Sequence, residues 1–166
     1  VLRDVLAPGL ALVVCGSAAG HRSAALGWYY AGPGNKFWRT LAETGLTPAR
    51  LEPKDCRRLP RFGIGLTDVA KGQAGADHEI DFARSDPAAL RAKIERCAPA
   101  ILCFNGKRAA QVFLGRRRVT YGFQPERLGA TRIYVAPSTS GAASGAWDVS
   151  HWRRLARSVE RKRKSR

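Results

Sequence analysis

The chain has 166 residues, 45% of them hydrophobic and 25% charged, enough for one domain with a core that needs no disulfide or structural metal. No apolar run approaches the roughly 18 residues of a membrane-spanning helix, so a membrane partner is not expected. With 29 Lys and Arg against 13 Asp and Glu, the net charge is +16, a field that favours a polyanion, nucleic acid first.

In chain order, Leu10–Cys15 is a buried-strand candidate, followed by the Gly- and Ala-rich loop from Gly16. Phe37, Trp38 and Leu41 share one helical face that Gly45 ends. Thr47-Pro48 has the form of a cap with a first-turn proline, predicting a further helix there. Phe62–Leu66 is the second strand candidate. Asp86-Pro87 then caps a helix carrying Leu90, Ile94 and Cys97. Ala100–Phe104 is a third strand, Lys107–Leu114 a helix stopped by Gly115, and Ile133–Ala136 a fourth strand. Val149, Trp152, Leu155 and Val159 mark a last helix beginning near Asp148. Short apolar strands alternating with helices predict an α/β fold, a three-layer α/β/α sandwich with a mostly parallel sheet. In such sheets ligands bind beyond the carboxyl ends of the strands, so the loops after Cys15, Leu66, Phe104 and Ala136 should share one mouth. The expected domain is 1–158. Residues 159–166 form a basic tail, expected to be disordered, that adds sequence-independent phosphate attraction or is simply a solvated end.

Cys15, Cys56, Cys97 and Cys103 form no C-x-x-C pair and have no histidine at ligand spacing. They are expected to be reduced thiols of an intracellular, cytoplasmic protein, with neither metal nor cofactor. Gly16-Ser-Ala-Ala-Gly20 is neither G-x-G-x-x-G nor a P-loop, so it makes a poor case for nucleotide binding.

The longer stretch is more specific. Gly16-Ser-Ala-Ala-Gly20 leads through Trp28-Tyr-Tyr30 to Ala31-Gly-Pro-Gly-Asn35-Lys-Phe-Trp38. It resembles the first active-site motif of uracil-DNA glycosylases of the mismatch-specific and thymine-DNA glycosylase type: G-I-N-P-G, an aromatic, then G-P-G/A-N-[KR]-F-W. Three later segments agree, in order: Phe62–Ala70, Ala100–Lys107 and Val135–Ala143, the last resembling the second motif, P-[NS]-x-S-[GA]. The resemblance runs from about Asp4 to Leu155.

It implies a monofunctional DNA repair glycosylase of base-excision repair, acting as a monomer on uracil in single- or double-stranded DNA. Such an enzyme takes the base out of the stack into a pocket. The resemblance makes Tyr30 the ring that stacks on it, worth roughly 1–3 kcal/mol by analogy with single-strand binding; taken alone, Tyr30 reads as a core aromatic like Phe37 and Trp38. Gly16, Ala18, Gly20, Asn35, Asn105 and Ser138 would line the base pocket. Arg22, Lys107 and the small loop Ser140-Gly141-Ala142-Ala143 would face the DNA, that loop being otherwise a turn and helix cap.

The chain departs from the motif where its Asn orients the attacking water: that position is Ala18. Three explanations stand. The protein is a silent damage-binding module. Or another polar residue serves, the candidates being Ser17, His21, Ser23 and Asp68, although Asp68 would equally cap its turn. Or little base assistance is needed, because glycosidic cleavage passes through an oxocarbenium-like state and donors that stabilise the departing uracil anion carry much of the acceleration.

Overall fold

Four short apolar segments and one polar one build the sheet. The computed structural model describes residues 2–165. Strands β1 (Leu12–Gly16), β2 (Ile64–Asp68), β3 (Ile101–Asn105), β4 (Gly122–Leu128) and β5 (Thr131–Ala136) lie in the order β2-β1-β3-β5-β4. All neighbours are parallel except β4 and β5. β1, β2 and β3 are buried along their whole length, which is why they are apolar runs and not alternating ones. The side chains still alternate between faces. Leu12 and Val14 pack with Phe37, Trp38 and Leu41 of α2 (Phe37–Glu43) and with Trp152, Leu155 and Val159 of α5 (Val149–Lys164). Val13 and Cys15 pack on the other side, with Leu90 and Ile94 of α3 (Pro87–Cys97) and Ala110 and Phe113 of α4 (Lys107–Leu114). The result is the expected α/β/α sandwich.

Both sheet edges are occupied or interrupted. Val5 bridges β2 antiparallel, exchanging hydrogen bonds with Leu66 at 2.9 and 2.7 Å. At the far edge β4 carries Pro125 inside a break in its register with β5, and its Glu126 pairs with Arg116 at 2.8 Å.

Several expectations need correction. A short helix, α1 (His21–Leu26), stands in the stretch expected to be loop, and Gly27 ends it at φ 74°. No helix begins at Thr47-Pro48; the Thr47 hydroxyl instead donates to the Ala49 carbonyl at 2.9 Å. The helical segment there is a 3-10 helix over Pro53–Phe62, with Pro53 in its first turn and Asp55 accepting from the Glu52 N–H at 3.1 Å. The basic tail is not disordered from 159: α5 continues to Lys164, Val159 is fully buried, and the Arg163 guanidinium donates to the carbonyls of Leu46 and Phe62. Arg166 lies outside the described residues.

Candidate active site

The chain passes from β1 outward to β2, then back across β1 to β3, so the connections leaving β1 and β3 diverge. A crevice opens at that point beyond the strands' carboxyl ends. A cleft of about 640 Å³ lies there. Every sequence-predicted site residue lines it except Arg22, which faces a neighbouring cavity.

The first wall is the loop after β1. The carbonyls of Gly16, Ser17 and Ala19 accept from Val69, Ala70 and Gly75 at 2.9, 2.8 and 2.8 Å, which fixes its path. Ala18 and Gly20 line the cleft from this loop. Tyr30 holds a left-handed backbone (φ 54°), costly for a side chain with a Cβ. Its ring stacks on Phe37 at 4.1 Å between centroids, which fixes the ring plane. The Tyr30 hydroxyl is buried and has no hydrogen-bond partner among the described residues. Burial and the nearby Asp68 charge hold its ionisation well above the usual tyrosine range, and Asn105 offsets only part of this. At the start of α2 the Asn35 side-chain oxygen accepts from the Phe37 N–H at 3.0 Å.

The second wall is the loop after β5, held by Asn105 at the end of β3. The Asn105 amide donates to the Thr139 hydroxyl at 2.9 Å and accepts from its N–H at 3.0 Å, so this side chain is committed to positioning the loop. The Ser138 and Ser140 hydroxyls accept from the Ser140 and Ala142 N–H groups at 3.2 and 3.3 Å, opening a 3-10 turn over Gly141–Ala146. A Cβ on Gly141 would lie 3.2 Å from the Gly34 carbonyl oxygen, so the two loops meet in backbone contact. Gly141 and Ala142 are exposed at the rim. Lys107 is also at the rim, its ammonium 4.5 Å from the Tyr121 ring centroid.

The four polar candidates separate clearly. Ser23 is buried and its hydroxyl accepts from the Ala31 N–H at 3.0 Å, tying α1 to the chain beyond Tyr30. Ser17 donates to Asp77 at 2.5 Å, and His21 Nε2 lies 3.2 Å from both Glu79 carboxylate oxygens. Both of these contacts are exposed. Asp68 is different: it is 4% exposed at the end of β2, beside Gly16 and the Tyr30 hydroxyl. Burial pushes its pKa up to about 6, with Lys71 and Lys93 restraining the rise. A carboxylate so placed is a stronger base than one in water and is ionised at neutral pH.

Sequence reasoning missed one element of the cleft. Gly75–Glu79 crosses its mouth, joined to the first loop by a parallel bridge between Ala19 and Ala74. The Ala76 N–H, bound at 2.6 Å, and His21 hold the Glu79 carboxyl below the usual range. The available sign was two acidic residues, Asp77 and Glu79, in a chain of net charge +16.

Residues 4–163 match the family model of the uracil DNA glycosylase superfamily. Among solved structures, the chain is similar to the solution structure of a candidate uracil DNA glycosylase from Methanosarcina acetivorans. The two share 23% identity, with 96% of each chain covered and a TM-score of 0.61, a likeness of fold.

Proposed function

The chain belongs to the uracil DNA glycosylase superfamily, and on that premise we propose that it flips uracil out of DNA and hydrolyses the N-glycosidic bond, leaving an abasic site. The observation that carries this reading is the meeting of both motif loops at one cleft whose floor holds a buried carboxylate. Among branches, the motif spacing favours the mismatch-specific uracil and thymine type.

The roles follow from the geometry. The flipped base enters between the loops after β1 and β5. Tyr30, backed by Phe37, offers it a stacking face of fixed orientation. The small loop Ser140–Ala143 fills little of the space vacated in the helix, which favours tolerance of the opposite base and of single strands. Asp68 takes over the task for which Ala18 has no polar group: its carboxylate accepts a proton from the attacking water as the glycosidic bond breaks. Its negative charge also favours the positive character that develops on the sugar. General-base assistance of this kind is worth about 10²–10⁴-fold. Asn105 and Asn35 position the loops, and Ser17 and His21 hold the strap across the mouth.

Incubation with a uracil-containing oligonucleotide followed by alkali tests the reading. Strand breaks at the uracil are expected. Their absence at stoichiometric protein, with binding to the same DNA retained, establishes instead the second reading that Ala18 favours, a silent module that recognises damage.

A further inference from the structure

A second cavity of about 510 Å³ lies beside the cleft, within the usual range for ligand pockets. Tyr30, Gly32 and Asn35 line both and form the partition between them. Buried Trp38 and partly buried Leu51 give the second cavity an apolar lining, while Leu26 and Trp28 stand on its rim. These two, 41% and 38% exposed, are the exposed large hydrophobic residues among those described. Single exposed apolar side chains are ordinary on a protein surface; two beside one cavity call for an occupant.

The charge around them indicates which. Arg22 and Arg50 line this cavity, and neither makes an ion pair or hydrogen bond among the described residues. Lys54 is also present but pairs with Glu52 at 3.2 Å. An exposed indole over an apolar recess, flanked by two unpaired guanidinium groups, matches a nucleobase with its phosphates: aromatic faces stack on bases of any sequence, and cations track the backbone. In a duplex the bases are covered by their neighbours, so only an unpaired nucleotide can present a face to Trp28. The local chain geometry explains the exposure: Gly27 ends α1 in the left-handed region, and the next residues turn Trp28 outward while Tyr29 goes into the core.

We propose that this cavity is a second nucleotide subsite, which takes the base of an unpaired nucleotide next to the flipped one and gives the protein a preference for single-stranded DNA. The proposal rests on the DNA-binding part of the reading above but not on excision.

The test is therefore binding of uracil-free DNA, measured by anisotropy with a labelled oligothymidine and with a duplex of equal length. Trp28→Ala is expected to weaken single-strand binding about thirtyfold, the middle of the range for loss of one base–aromatic stack, and duplex binding less than twofold. Trp28→Phe should restore most of the single-strand affinity. Arg50→Gln, on another part of the cavity, should lower the slope of log affinity against log salt by about 0.7 for single strands. Full single-strand affinity in both Trp28→Ala and Arg50→Gln, equal losses on single and double strands, or a wild-type protein that ignores oligothymidine would each overturn the subsite. A protein with the expected binding pattern that leaves uracil in place would instead remove the glycosylase reading and keep the subsite.

Discussion

Replacing Asp68 with Asn should make the protein more stable and less active at once. The carboxyl titrates at about 6 in the folded protein, against 3.8 for the ordinary group. The folded state therefore holds this proton more tightly than the unfolded chain does, and stability falls as pH rises from about 4 to about 6, then levels off. The full difference corresponds to about 3 kcal/mol above pH 6. Asn has nearly the same shape and no ionisation cost, so Asp68→Asn should recover up to that amount at pH 8. For a chain of this size the gain is up to about 9 °C in melting temperature. At pH 4 the wild-type carboxyl is protonated in the folded state, and the gap should close. Thermal denaturation of both proteins at pH 8 and pH 4 measures this directly. Single-turnover excision supplies the other half: the wild-type rate should rise with pH through about 6, and the variant should be slower by about 10²–10⁴-fold, without that rise. A melting difference that persists unchanged at pH 4, or a variant that excises as fast as wild type, would refute the argument.

Other substitutions probe the surroundings of the same group. A Cβ at residue 16 would lie 2.7 Å from an Asp68 oxygen and 3.1 Å from the Tyr30 hydroxyl, so Gly16→Ala should displace the carboxylate and abolish most excision while the protein still folds, as circular dichroism would show. Tyr30→Ala should lose most excision through loss of the stacking face. Tyr30→Phe should keep excision and raise stability by about 1 kcal/mol in denaturant titration, because the hydroxyl it removes is buried without a partner. Arg163→Ala should cost about 1–2 kcal/mol by the same titration, since its guanidinium binds two carbonyls and ties α5 to the chain near Leu46 and Phe62.

What could be seen in the sequence follows from how each segment is stabilised. The four parallel strands announced themselves because burial on both faces demands unbroken apolar runs, as in Leu12-Val-Val-Cys15. β4 did not: it is an edge strand whose Gln124-Pro-Glu-Arg127 is polar, and its place depends on pairing with β5. α1 is six residues long, has no side-chain cap, and sits among glycines. The predicted helix at Thr47 failed because a threonine before a proline suits an isolated turn equally well, and the true helical start was Pro53. In the cleft, the motif loops were legible as ordered segments, but the distinction among Ser17, His21, Ser23 and Asp68 was not. It depends on burial and on partners far away in sequence, such as Asp77 and Glu79, which the Ala19–Ala74 bridge brings near.

The two ends of the sheet bear on crowding. A protein drawn to a polyanion by a charge of +16 accumulates along it, and neighbouring copies meet at high local concentration. Strands with bare edges would then find one another and zip into cross-molecular ladders. Here one edge is already bonded to the chain's own Val5. The other is broken by Pro125 and by the Glu126–Arg116 pair, and a proline offers no N–H to a newcomer. Each end of the sheet therefore offers a newcomer only part of a hydrogen-bonding ladder.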